Sequence, residues 1–300
     1  MKVEYKGIDI TDSIEIYRCW LDQYAEIHGD TIKVIFRDRN KLWDVWSPQI
    51  GDEIRVYDEY ADSGLQYVRG IYPSVGRYEL DASSIPTSAE LIRSAGWQQI
   101  TKLQLARDIA KRHNLNLKTY GVTDHKFFYL RQENETDFIF LQKLCLLEGD
   151  AFLLYDNQLI LYNEQYMEDS TASQTVEVSS DNQLEYMKEE EYTALSIRND
   201  YFEYTLGDDM TRLKSVNVPV YIDSNGTAER YATNLLHHYN KMKKGGIFYT
   251  SPVADKYTAG SVINLKTDGY SSFDGKIFIY HIRHDLNKGK SKIFFRCVND

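Results

Sequence analysis

Residues 130–152 read LRQENETDFIFLQKLCLLEGDAF, and three structural signals follow one another within them. A polar run that ends near Thr136 predicts the start of a helix, because short polar side chains bind the free amides of the first turn. Apolar residues on most sides of the following turns predict that the helix is buried. Gly149 predicts its end, since glycine readily adopts the left-handed conformation of a helix terminus. A capped, buried helix is therefore expected here.

The segments on either side of this helix are also regular. Downstream, two apolar segments flank a polar turn at residues 156–158, which predicts a β-hairpin. Upstream, Thr101 and Gln104 have the spacing of a capping box, and an apolar stripe follows them. Residues 86–165 are therefore predicted to form an insert of two helices and a hairpin.

The rest of the chain has the period of β-strands. Residues 1–85 consist of short alternating segments separated by turns, and they predict a first β unit. Residues 166–300 return to strands and predict a second β unit with one helix at about 227–243, which Gly245 and Gly246 would end. Strands after the insert could also complete the first unit. The predicted fold class is mainly β with an α+β insert.

Composition excludes several classes of function. The chain has 300 residues, of which 42% are hydrophobic, enough to bury real cores. It contains no run of about 20 apolar residues and no signal peptide, so no membrane anchor is expected and assembly is expected in a cytoplasm. The net charge of −10 argues against stable nucleic-acid binding, which needs clustered lysine and arginine.

The histidine and cysteine residues lie in settings that disfavour metal binding and catalysis. His281 and His284 lie three apart on a predicted strand, so their side chains should point to opposite faces. His237 and His238 are adjacent on a predicted helix and should diverge. Cys145 lies among leucines and is expected to be a buried thiol. No metal site, cofactor or catalytic residue is expected.

Three acidic residues allow an alternative. Glu133, Glu135 and Asp137 could be the paired acids of a glycosidase, but Glu135 and Asp137 are more simply explained as acidic residues beside a helix N-terminus capped by Asn134 or Thr136. The common nucleophile, phosphate-binding and zinc motifs are absent from the sequence. A cell-wall hydrolase therefore stays an alternative to a non-catalytic protein. The 24 tyrosines leave a glycan-binding module as another alternative.

The stretch at 130–152 resembles the signature of the phage late control D and tail hub family. In that signature a polar cap and an F-L-x-x-L helix lead through E-G to an aromatic hairpin. The flanking segments 85–91, 96–115, 227–232, 259–265 and 273–276 also look like the family's pattern. The signature residues in this chain, to which the resemblance assigns a structural role, are Gln132, Asn134, Glu135, Thr136, Asp137, Phe138, Leu141, Leu144, Glu148 and Gly149.

The resemblance implies two tail-tube-type β-barrels flanking the insert, and a homotrimer that presents six similar barrels to a sixfold tail tube. The chain most resembles the short hub proteins of phages and phage-tail-like particles of Gram-positive bacteria. It ends at Asp300 without a spike-like segment, so the spike is expected to be a separate protein. The other implied partners are a tail-tube or tube-initiator protein, baseplate wedge proteins and, as a further candidate, a tape-measure protein. The implied location is the host cytoplasm during assembly and then the baseplate of the virion or tail-like particle.

Overall fold

The structure is a computed structural model that describes residues 1–26, 29–179, 182–250, 258–269 and 271–298. Within these ranges the chain forms twenty-one β-strands and five α-helices. The predicted fold class, mainly β with a helix-containing insert, is confirmed. None of the helices in the described ranges has both the length and the apolar character needed to span a bilayer.

The secondary-structure elements fall into three consecutive groups. The first group is β1 (Lys2–Tyr5), β2 (Ile8–Asp9), β3 (Ile14–Tyr24), β4 (Thr31–Asp38), α1 (Trp43–Trp46), β5 (Glu53–Tyr57), β6 (Gln66–Ser74) and β7 (Arg77–Ser83). The second is β8 (Ile92–Thr101), α2 (Lys102–Arg112), β9 (Asn116–Tyr120), β10 (Lys126–Thr136), α3 (Asp137–Glu148), β11 (Asp150–Tyr155), β12 (Gln158–Asn163) and α4 (Glu164–Asp169). The third is β13 (Thr175–Val178), β14 (Glu185–Lys188), β15 (Ala194–Arg198), β16 (Glu203–Leu206), β17 (Leu213–Asn217), α5 (Asn225–Asn240), β18 (Lys244–Thr250), β19 (Val262–Thr267), β20 (Gly275–Asp285) and β21 (Lys290–Cys297).

Two β units share one continuous sheet. Its central part, here called the central sheet, consists of eight strands in the order β6-β7-β4-β3-β20-β21-β18-β14, with antiparallel neighbours throughout. The two units meet where β3 pairs with β20, from Trp20 opposite Asp285 to Tyr24 opposite His281. Main-chain hydrogen bonds therefore join the first β unit to the last strands of the chain.

Each β unit has its own hydrophobic core. The first core includes Leu21, Val34 and Val68, which are fully buried between the strands of the first group. The second includes Phe248 and Phe295 in the strands near the C-terminus. Because strand side chains alternate between faces, these cores lie on one face of the central sheet. On the opposite face Phe278 and Arg296 are buried as well, whereas His281 and Phe294 are half-buried.

The third core belongs to the insert and is larger than predicted. Helices α2 and α3 pack there with α5 and with the small sheet β16-β15-β17. The helix predicted at 227–243 in the second β unit is α5, and it lies in the insert core instead. Helix α3 is apolar on most sides and needs cover on more than one face. Tyr231 and Leu235 of α5 supply part of this cover.

Several other element predictions are corrected. The insert also contains β8, β9 and β10, which were not predicted. Gly245 and Gly246 do not end a helix but lie inside β18. A Cβ on Gly245 would sit 2.4 Å from the carbonyl oxygen of Phe295, and one on Gly246 would sit 2.2 Å from that of Glu185. These glycines therefore allow neighbouring strands to approach closely.

His284 makes the stability of the unit junction depend on pH. Its side chain is 1% exposed, with Nδ1 2.8 Å from Ser291 Oγ and Nε2 3.3 Å from Gln23 Oε1 on β3. Burial lowers the pKa of His284 to about 4. In the unfolded chain the pKa of histidine is about 6.5, so the unfolded state binds the proton more tightly. The contribution of His284 to stability is therefore complete above about pH 6.5 and is lost as the pH falls towards 4.

We expect this titration to remove about 3 kcal/mol of stability between pH 6.5 and 4. Urea unfolding measured across this pH range should show a steeper loss in the wild-type protein than in His284→Asn, which cannot take up the proton. Parallel pH profiles for the two proteins would contradict the assignment.

Candidate functional site

The signature helix begins at a cap that the structure identifies. Thr136 is the N-cap of α3, and its Oγ1 accepts a hydrogen bond from the Ile139 amide at 3.4 Å. The other candidate, Asn134, lies in a β-bulge with a φ of 49°, and its amide donates to Ser94 Oγ at 3.0 Å. Asn134 therefore shapes the strand before the helix, and Thr136 starts the helix.

A buried polar network surrounds Asp137. Its carboxylate accepts hydrogen bonds from Gln132 Nε2 at 3.1 Å and Arg112 Nε at 2.8 Å, and it lies 3.0 Å from His113 Nε2. On its other side His113 Nδ1 lies 2.8 Å from Ser88 Oγ. Burial opposes the ionisation of Asp137, but the hydrogen bonds from Arg112 and Gln132 lower its pKa. The network ties α3 to β10, α2 and the linker that leads in from the first β unit.

The acidic residues of the signature lack the features of a glycosidase pair. A general acid needs a raised pKa, whereas that of Asp137 is lowered. Glu133 is exposed and pairs with Arg131, and Glu135 pairs with Lys143. The geometry supports structural roles for all three acids.

The C-terminal end of α3 packs closely against α5. Gly149 has a φ of 69°, and a Cβ on it would lie 2.8 Å from Asn234 Oδ1. Asn234 Nδ2 donates to the Leu147 carbonyl at 2.9 Å, and Arg230 binds both oxygens of Glu148 at 3.1 and 3.3 Å. The remaining signature residues are apolar and lie in or against the insert core, namely Phe138, Leu141 and Leu144.

Gly149→Ala should therefore be more destabilising than an alanine substitution at an ordinary left-handed glycine. The left-handed conformation alone costs a residue with a Cβ about 1–2 kcal/mol. Gly76 is a matched control, because it has a φ of 71° and nothing lies within 4 Å of its Cβ position. Urea unfolding should show a larger loss for Gly149→Ala than for Gly76→Ala. Equal losses would mean that the contact with Asn234 is unimportant.

A buried charge cluster joins the insert to both β units. Lys241 Nζ at the end of α5 lies 2.6 Å from Glu26 Oε2, just after β3, and 2.5 Å from Glu164 Oε1 in α4. Arg296 in β21 binds Glu168 in α4 and lies 3.9 Å from Glu26 Oε1. These contacts were not predicted, because their partners are far apart in the sequence.

Glu168 is held ionised in this cluster. Burial opposes its ionisation, but His237, with Nε2 3.0 Å from Glu168 Oε2, and Arg296 outweigh that effect and lower the pKa of Glu168 to about 2. In the cluster the cations Lys241 and Arg296 face the carboxylates of Glu26, Glu164 and Glu168. Their geometry favours a rigid junction between the three parts of the chain.

His281, His284 and Cys145 lie in structural settings. His281 stacks between Tyr24 and Phe294 on the face of the central sheet opposite to the cores of the two β units, whereas His284 points towards those cores, as predicted. Burial raises the pKa of the Cys145 thiol well above its usual value, so the thiolate is disfavoured. A search of the described ranges finds no group of three or more histidine, cysteine or acidic side chains suited to a metal ion.

The central sheet has two edges that are available for assembly. In the described part of the chain no strand pairs with the outer edge of β14. At the other end, β6 pairs with β5 only through Gln66 and Tyr67, so the edge of residues 69–74 is unpaired within the described ranges. Unpaired edges are templates for a strand of another chain. We therefore regard these two edges as the candidate assembly site.

Comparison with solved structures identifies the fold. The tail protein of Neisseria meningitidis MC58 matches with a TM-score of 0.76 and 13% sequence identity, over 98% of this chain and 95% of that chain. The 43 kDa tail protein of prophage MuSo2 from Shewanella oneidensis matches with a TM-score of 0.74 and 12% identity, over 99% and 97% of the two chains.

A component of a secretion system also has a similar fold. The E. coli c3393 protein is described as a component of the type VI secretion system with structural similarity to the T4 tail proteins gp27 and gp5. It matches with a TM-score of 0.67 and 10% identity, over 100% of this chain and 77% of that chain. No family model matches the sequence, and no curated protein matches it either. At the level of the fold, the resemblance to tail hub proteins is confirmed.

Proposed function

We propose that this protein is a structural baseplate hub of a phage or phage-like tail. In this proposal it forms a homotrimer that adapts the sixfold tail tube to a threefold central spike. The observation that carries the proposal is the central sheet, which joins two β units edge to edge and has unpaired edges, within the described residues, at β14 and along residues 69–74 of β6. The similarity of the fold to tail proteins supports the same role.

The central sheet divides into two halves of four strands. The halves are β6-β7-β4-β3 and β20-β21-β18-β14. They lie side by side, and the strands in both halves alternate in direction in the same order. The joint between β3 and β20 can therefore be repeated between β14 of one copy and β6 of the next. Three copies of eight strands would close a ring of 24 strands with six similar units. Closure would remove the free edges that a lone chain exposes.

The proposed partners follow from this ring. A tail-tube or tube-initiator protein would stack on one side, and a separate spike protein would bind on the other. Baseplate wedge proteins would surround the ring, and a tape-measure protein could occupy its channel. The likeness of the E. coli protein to T4 gp27 and gp5 supports a hub beside a spike. We propose a non-catalytic role, with assembly in the host cytoplasm and a final location in the baseplate.

Antibody labelling of purified tails tests this location. We expect label at one end of each tail, where the baseplate is attached, and we expect deletion of the gene to prevent tail assembly. Label along the whole length of the tail would identify a tube protein and overturn the proposal. Normal tails in the deletion strain would also overturn it.

A further inference from the structure

Two segments of the chain carry large net charges of opposite sign. Residues 92–131 contain eight lysines and arginines and two acidic residues, a net charge of +6. Residues 182–209 contain eight acidic residues and two lysines or arginines, a net charge of −6. In a protein with a net charge of −10, the first segment is an exception, and it suggests a surface with its own partner.

The basic segment forms a surface along α2. Arg107 and Lys111 are one turn apart and exposed on this helix. Lys126 lies opposite Thr101, the N-cap of α2. Burial is the main cause of the lowered pKa of His113, the C-cap residue, and the nearby charge of Arg93 adds to it. Exposed Lys118 in β9, which packs on α2, extends the surface. The basic surface, as named here, consists of Arg93, Arg107, Lys111, Lys118 and Lys126.

The acidic segment forms a surface beside the free edge of the central sheet. Glu185 lies in the edge strand β14, and Glu189 follows that strand. A hydrogen bond links the segment that contains Asp208 to the segment that follows Glu189. In it Thr193 Oγ1 donates to the carbonyl oxygen of Asp209, the residue after Asp208, at 2.7 Å. Asp200, in the turn between β15 and β16, and Glu203, the first residue of β16, lie at the other end of this hairpin from Asp208. The acidic surface, as named here, consists of Glu185, Glu189, Asp200, Glu203 and Asp208, all of them exposed.

These ten exposed side chains have no ionic partner within the described residues, as is also true of other surface charges such as Lys2 and Arg77. Some surface charges do form salt bridges, such as Arg131 with Glu133. Five unpaired cations on one surface therefore face no partner in their own chain, and neither do five unpaired anions on another. Surfaces of opposite charge on a single chain suit a head-to-tail contact between copies.

We infer that the acidic surface of one copy docks on the basic surface of the next copy. This inference rests on the proposed trimer and adds a second contact to the pairing of β14 with β6. A second copy is the favoured occupant because the two surfaces match in charge and number. Both segments also expose aromatic rings suited to an interface, Phe128 at 65% and Tyr201 at 87% exposure.

Charge reversal tests the docking directly. Sedimentation velocity of the purified full-length chain at low salt should show self-association that weakens as salt is added. Arg107→Glu/Lys111→Glu and Glu185→Lys/Glu189→Lys should each weaken self-association about tenfold or more. The chain that carries all four substitutions should regain association, because the reversed surfaces attract each other again. Lys2→Glu/Arg77→Glu is the control, with the same change in net charge on exposed residues of the first β unit.

The outcomes separate this inference from the proposed function. Rescue by the fourfold variant would establish that the two surfaces meet between copies. Self-association that is unchanged by salt and by every charge-reversal variant would overturn the inference. It would still be compatible with a hub held together by strand pairing. A chain that stays monomeric, or a basic surface that instead binds duplex DNA or an unrelated acidic protein, would also overturn it. Circular dichroism of each variant establishes that the fold is retained.

Discussion

Replacing Lys102 by methionine is expected to lower the free energy of unfolding by about 3–5 kcal/mol. Lys102 and Asp150 form an ion pair in which both side chains are only 1% exposed. Burial raises the pKa of Asp150, which shows how strongly this site disfavours an unpaired carboxylate. Without Lys102, Asn163 Nδ2 still donates a hydrogen bond to the Asp150 carboxylate at 3.1 Å. The loss is large because one buried charge stays behind without its partner.

Removing both charges should cost much less than removing one. Buried ion pairs can often be replaced by apolar residues of similar volume with little loss. Lys102→Met/Asp150→Leu should therefore recover most of the stability that Lys102→Met loses in urea unfolding. A loss below about 1 kcal/mol in the single variant would contradict the ion pair. A double variant less stable than the single variant would show that the packing around the pair dominates.

Arg296→Met is expected to have an effect of similar size, about 3–5 kcal/mol, but at the junction of all three parts of the chain. The guanidinium is 1% exposed, contacts Glu168 and Glu26, and lies 4.4 Å from the centre of the Phe278 ring. Its removal leaves Glu168 buried, with His237 Nε2 3.0 Å from its Oε2. Unfolding followed by separate probes in the β units and the insert should also become less cooperative.

An exposed ion pair provides the matched control for Arg296. Lys266 pairs with Glu177 on the same β unit, with side chains 65% and 75% exposed. Lys266→Met should change the free energy of unfolding far less than Arg296→Met, because the exposed pair is screened by solvent. Similar losses in the two variants would contradict a special role for the buried cluster.

Local signals in the sequence were sufficient for the signature helix. Thr136 and Gly149 act within a few residues of their own position, so the start and end of α3 could be predicted. The hairpin of β11 and β12 follows from its own turn residues in the same way. The fold class follows from the same short-range patterns, because the change between periods of two and 3.6 residues is visible in the sequence.

Contacts between distant residues could not be predicted. Lys241 and Glu26 are 215 residues apart, and Arg283 and Asp22, which bind each other at 2.8 Å across the joint of β3 and β20, are 261 apart. Spacing in the sequence carries no signal for such pairs. Strand β10 was missed because a bulge between Gln132 and Glu135 breaks its alternation. The packing of α5 against α3 could not be predicted either, because the two helices are far apart in the sequence.

The mass of the complex between this chain and its spike tests the central proposal most directly. Native mass spectrometry of the two proteins purified together should show three copies of this 35.0 kDa chain on one spike trimer. That stoichiometry would place six similar β units around the spike, as a ring of 24 strands requires. A complex with one, two or six copies, or a chain that stays monomeric with the spike present, would contradict the trimeric hub.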